Sequence, residues 1–154
     1  MEHNMISPVK NPIVTSPYGK RMLNGVEQFH PGIDYVSGVG DPSVSSILPG
    51  IVVLDFDDYE DAKRWFDPKS SAGNYVCVQH FLPSGDYFFA RYVHLAKNNV
   101  SHAQRIPEGY ILGPYANVGI SYGAHLHIES YDAKWIPTNI GLILGPAGIP
   151  VTHL

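Results

Sequence analysis

The chain has 154 residues, 44% hydrophobic and 16% charged, with a net charge of −4. That is enough apolar content for a hydrophobic core, and too much for a disordered tail. The acidic balance argues against non-specific nucleic-acid binding, which needs a basic surface, and no apolar run reaches transmembrane length.

Turn formers and aromatics are abundant, with 15 Gly, 13 Pro and 10 Tyr, which favours a β-rich, loop-rich domain. The single cysteine, Cys77, excludes an intrachain disulfide. Set inside the apolar run Tyr75-Val76-Cys77-Val78, it reads as core filler, because a strand interior offers nothing to activate a thiol. The opening MEHNMISPVKNPIV has no basic segment leading into an apolar one. No secretory leader is read there, and synthesis in the cytoplasm is expected.

In chain order, residues 13–21 (IVTSPYGKR) read as a short strand ending in a Pro-Tyr-Gly turn. Pro31-Gly32 forbids helix in FHPGIDYV and predicts a tight turn feeding a strand over 33–36. The Pro49-Gly50 turn precedes an apolar strand over 51–54. Residues 55–69 (DFDDYEDAKRWFDPK) are acidic and read as an insertion with a short helix over 59–66, capped by Asp58 and stopped by Pro68. They lack the Gly and terminal Glu of a calcium loop, so a solvated acidic face is expected. Residues 73–82 and 87–95 read as paired strands joined through Pro83-Ser84-Gly85-Asp86. RIPEGYILG predicts a turn and short strand, and a tail over about 137–154 is expected to dock on the core. No repeat or linker divides the chain, so 1–154 reads as one mainly β domain of antiparallel strands.

Eight histidines are present. His3 and His153 lie near the ends, His102 reads as a surface loop residue, and His80 in VQHFL as structural. His125 and His127 occupy alternate positions in SYGAHLHIE, so on a strand both imidazoles face one side while Leu126 and Ile128 face the core. Neutral imidazole suits zinc. In HPGID, the Pro-Gly turn can fold His30 back toward Asp34, and imidazole plus carboxylate is a catalytic zinc pair. In RYVHL, Tyr92 and His94 should share a face. Each signal alone is weak.

Taken in order, HPGIDY, GNYVCVQH, YVHL and VGISYGAHLHIE resemble the zinc endopeptidases of the lysostaphin and LytM type, the M23 family. SPYGKR, ILPGIVV and RIPEGYILG extend the resemblance over about residues 14–129. The family often has Gly-Pro before its HLH; this chain has Gly123-Ala124. The resemblance implies an antiparallel β-sandwich or barrel with a short helical insertion. It implies Zn2+ as cofactor, held by His30, Asp34 and His127, with His94 and His125 catalytic and the choice of general base between them left open. Glu129 takes the family's acidic position as support for a ligand, and Tyr92, Tyr122 and Gly123 would border the substrate, with the acidic insertion as a wall. The implied substrate is a peptide of bacterial peptidoglycan, cross-link or stem. The protein is expected to be a monomer with no nucleic-acid partner, acting on the wall after release in phage lysis or on a virion. The alternatives are a non-catalytic binding or regulatory module of the same fold and a phage structural component with vestigial activity.

Overall fold

Pro17 and Tyr18 stop the first strand, β1 (Pro12–Ser16), and the chain turns back on itself. The computed structural model describes residues 5–57, 73–118 and 123–144. After the stop, β2 (Gly19–Leu23) and β3 (Val26–His30) form a separate antiparallel hairpin, where sequence reading expected only a turn. The cause is Asn24-Gly25, whose φ values of 52° and 76° are those of a type I′ turn. Asn-Gly between two short strands is the strongest short-range hairpin signal in a sequence.

The main sheet is antiparallel throughout. β4 (Ile33–Ser37) lies between β1 and β11 (Leu126–Tyr131), and β8 (Tyr87–Leu95), β7 (Asn74–Phe81), β6 (Gly50–Phe56) and β9 (Arg105–Ile106) follow. β12 (Pro137–Thr138) adds to β11 beyond the end of β4. A two-stranded sheet of β5 (Ser43–Ser45) and β10 (Ile111–Pro114) completes the strands among the described residues. The fold is mainly β and antiparallel, as expected.

One face of the main sheet carries the core. Tyr35, Val76, Val78, Ala90, Tyr92, Leu126 and Ile128 alternate inward and are fully buried with Val44, Ile47, Leu48 and Leu112. The short helix α1 (Gly141–Leu144) adds Leu144, with Ile140 just before it. The opposite face of β4, β11 and β8 is left to build a cleft. The helix expected over 59–66 and the tail beyond Leu144 lie outside the described residues, while Asp55 and Phe56 end β6.

Candidate metal centre

Strand register assembles the site. β4 and β11 pair with Asp34 directly opposite His127, and β11 and β8 pair with His127 opposite Val93 and Glu129 opposite Arg91. Directly opposed residues share a face. Leu126 and Ile128 point into the core, so His127 and Glu129 point into the cleft. His30 ends β3, and the turn at Pro31-Gly32 swings its imidazole over β4. His30 Nε2 comes to 3.2 Å from Asp34 Oδ1 and 3.1 Å from His127 Nδ1. A Cβ on residue 32 would lie 2.7 Å from His127 Cε1 and 2.8 Å from its Nε2, so only glycine leaves room for the ring.

The three converging atoms fit a small cation. His30 Nε2, Asp34 Oδ1 and His127 Nδ1 form a triangle whose third edge, His127 to Asp34, is 2.8 Å. Tetrahedral zinc with ligands at about 2.0–2.1 Å sets such atoms roughly 3.3 Å apart. Each of the three side chains is anchored from behind. His30 Nδ1–H donates to the Pro17 carbonyl at 2.9 Å, which leaves the Nε2 lone pair facing inward. Asp34 turns Oδ2 toward Arg21 Nη1 at 3.6 Å and so offers Oδ1 alone. His127 Nε2 lies 3.5 Å from Glu129 Oε1, which leaves Nδ1 facing inward.

The electrostatics point the same way. Burial would raise the Asp34 carboxyl, but hydrogen bonds and charge from His127 and His30 hold it well below the ordinary carboxylate range. Burial would lower His127, yet hydrogen bonds to Asp34 and Glu129 raise it overall. Glu129 is buried too, and His127 and Arg91 outweigh that cost to bring its carboxyl down to about 2. A ring set between two carboxylates draws positive charge, from a proton or from a metal.

His94 reaches the cleft by a break in β8. Consecutive residues Asn74 and Tyr75 pair with Leu95 and Val93, so His94 is an extra residue, a bulge, with a left-handed φ of 68°. Alternation fails at that point. Val93 and His94 both line the cleft, and Leu95 returns to the core. This corrects the assignment of Tyr92 to the substrate side. Tyr92 is fully buried on the core face; its hydroxyl accepts from the Ile47 N–H at 3.2 Å and donates to His80 Nε2 at 2.8 Å. His80 donates from Nδ1 to the Pro49 carbonyl at 3.2 Å, and burial pushes it down to about 4. It is a neutral core histidine.

The segment Tyr115–Ala116 bridges the two remaining histidines. Leu95 pairs with Tyr115, Ala116 pairs with His125, and the Ala116 N–H donates to the His94 carbonyl at 2.8 Å. The His94 and His125 ring centroids lie 4.7 Å apart. His125 Nδ1–H donates to the Gly123 carbonyl at 2.8 Å, and its Nε2 stands 3.6 Å from Asp34 Oδ1. Burial first, then the neighbouring His125 and His127, push His94 down to about 4.

The cleft holds about 710 Å3. Gly123 and Ala124 line it; Tyr122 lies outside the described residues. One wall is the β2–β3 hairpin, through Arg21, Leu23 and Gln28; the acidic insertion, also expected to form a wall, lies mostly outside the described residues. Two arginines, Arg21 and Arg91, also line the cleft and are not among the expected site residues, because a lone arginine within SPYGKR or RYVHL carries no spacing that points to a site. The hairpin turn would have placed Arg21, and only strand register places Arg91 against Glu129.

A mainly antiparallel β fold with two histidines and a carboxylate converging, and two more histidines alongside, defines a metallopeptidase centre. The chain belongs to peptidase family M23, whose model matches residues 28–139. It is 31% identical over 119 residues to the peptidoglycan DD-endopeptidase ShyA of Vibrio cholerae. That alignment takes in 75% of this chain and 24% of the relative, so the chain spans about a quarter of that protein's length. Its fold is similar to that of a zinc containing peptidase from Vibrio cholerae, with a TM-score of 0.67, 24% identity, and 90% of this chain and 39% of that one covered. It is also similar to the catalytic domain of the antimicrobial peptidase lysostaphin from Staphylococcus simulans. There the TM-score is 0.65 at 22% identity, covering 87% and 92%.

Proposed function

We propose that this chain is a zinc-dependent endopeptidase that hydrolyses peptide bonds in the cross-links or stem peptides of bacterial peptidoglycan. The observation that carries the proposal is the triangle of His30 Nε2, Asp34 Oδ1 and His127 Nδ1, with edges of 2.8 to 3.2 Å, open to a cleft beside His94 and His125. The family and the description of ShyA as a peptidoglycan DD-endopeptidase support the substrate class.

His30, Asp34 and His127 would hold the metal. Zinc in such a site supplies a Lewis acid and lowers the pKa of a bound water to about 7. The rest falls to the chain. His125 is fixed by Gly123, so its Nε2 is the nitrogen that faces the reacting group. His94 is kept neutral by burial, and its ring lies beside that of His125, with centroids 4.7 Å apart. Between them the two rings take the proton of the attacking water and return it to the leaving amine, and a protonated ring stabilises the developing oxyanion. The open cleft suits an extended peptide. Because the substrate lies outside the cytoplasmic membrane, release in phage lysis or carriage on a virion is the delivery route proposed with it.

The test is mass spectrometry of fragments released from purified peptidoglycans of two cross-link types, with His125→Ala as control. New amine and carboxyl ends that vanish in the variant are expected, and they name the bond cut. No release from either wall, with zinc bound, would favour a non-catalytic module of the same fold.

A further inference from the structure

Glu129 is 6% exposed, and both of its carboxyl oxygens have donors. Arg91 donates to Oε1 from Nε at 3.0 Å and from Nη2 at 2.6 Å. The Tyr131 hydroxyl donates to Oε2 at 2.7 Å. Both oxygens are therefore held, and Oε1 is left facing His127 Nε2 at 3.5 Å. Arg91 is fixed in turn: its guanidinium lies 5.3 Å from the centre of the Tyr75 ring, on the neighbouring strand. A fork of two N–H donors on one oxygen sets direction as well as charge, which a lysine ammonium does not do.

We propose that Arg91 is a positioning residue for the metal centre. Clamped on Glu129, it keeps that carboxylate against His127 Nε2 and so reserves Nδ1 of the same ring for the metal. The inference rests on the zinc reading above and deepens it. An imidazole has two nitrogens, and the hydrogen bond made by one decides which is free to ligate. Nδ1 is the nitrogen that lies 3.1 Å from His30 Nε2 and 2.8 Å from Asp34 Oδ1, whereas Nε2 points to the Arg91 side. Released from Arg91, Glu129 keeps only the Tyr131 hydroxyl on Oε2, and Oε1 loses the two donors that fix it toward the ring.

The test is zinc affinity of the full chain, measured by competition with a chromophoric chelator, for wild type, Arg91→Met, Arg91→Lys, Glu129→Gln and the Arg91→Met/Glu129→Gln pair. Thermal unfolding of each metal-free protein is followed alongside. Arg91→Met should weaken zinc binding by about 10–100-fold, the usual cost of removing an outer-shell partner, and Arg91→Lys should recover only part of it. The double variant should bind no more weakly than the weaker single, because both changes break one chain of contacts. Zinc affinity within about twofold of wild type in Arg91→Met, or losses that multiply in the double variant, would overturn the proposal. So would a rise in KM alone, which would make Arg91 a substrate contact. A wild-type chain that binds no zinc would instead sink the zinc reading itself.

Discussion

Two histidine sites lie on opposite faces of one sheet and differ in their partners more than in their burial. On the core face, His80 is fully enclosed between the Pro49 carbonyl and the Tyr92 hydroxyl, both uncharged, and burial drives it down to about 4. On the cleft face, His127 is 9% exposed and sits between Asp34 and Glu129, and it is raised. Burial alone makes a structural histidine; burial between carboxylates makes a cation site. β8 connects the two faces. It sends Tyr92 to the core and, by the bulge at His94, delivers a histidine to the cleft two residues later.

The sharpest way to break this contrast is to remove the cleft histidines. His127→Ala should abolish zinc binding, read by elemental analysis, and lower wall hydrolysis by roughly three orders of magnitude or more. His125→Ala should keep the metal and lose about 10²- to 10⁴-fold in turnover. Loss of zinc in His125→Ala would mean that the two roles within the pair are exchanged.

The core histidine should reveal itself through pH. The folded-state value of His80 lies below its unfolded value of 6.5, so the unfolded chain binds the proton first. The stability contributed by His80 is therefore full above pH 6.5 and is lost as pH falls toward 4, up to roughly 3 kcal/mol. His94 is shifted in the same direction and adds to the slope in the metal-free chain, whereas His127 opposes it. Urea unfolding of metal-free wild type and His80→Gln at pH 7 and pH 5 separates the share of His80. The slope should be shallower in the variant, and an unchanged slope would remove His80 from the account.

Gly32→Ala joins the two faces, since the new Cβ would meet the His127 ring on one side and the Ile128 carbonyl on the other. It should cost about 1–3 kcal/mol by overpacking, measured by denaturant unfolding, and should weaken zinc binding as well. The smallest effect tests the reassigned tyrosine. Tyr92→Phe leaves His80 Nε2 and the Ile47 N–H without their partner, a loss of about 1–2 kcal/mol in stability, with KM for wall fragments unchanged. A raised KM at unchanged stability would return Tyr92 to the cleft.

Local rules made much of this molecule legible. The two-residue period put Leu126 and Ile128 opposite His125 and His127, and Pro31-Gly32 marked the turn that folds His30 toward Asp34. The hairpin that walls the cleft and carries Arg21 also follows from a local signal, Asn24-Gly25. Tyr92 was placed by a period that the bulge at His94 interrupts, and a bulge depends on the neighbouring strand, through the pairing of Asn74 and Tyr75.

The antiparallel β character, the core face of β11 and the identity of the residues that can bind a metal are already present in the sequence, because these depend on side-chain chemistry and a period of two. Tertiary structure decided which of those residues meet. His127 lies 93 positions from Asp34, and Arg91 lies 38 from Glu129, and only strand register brings each pair face to face. Register is a property of paired strands, set by long-range hydrogen bonding and core packing, and no single stretch of chain contains it.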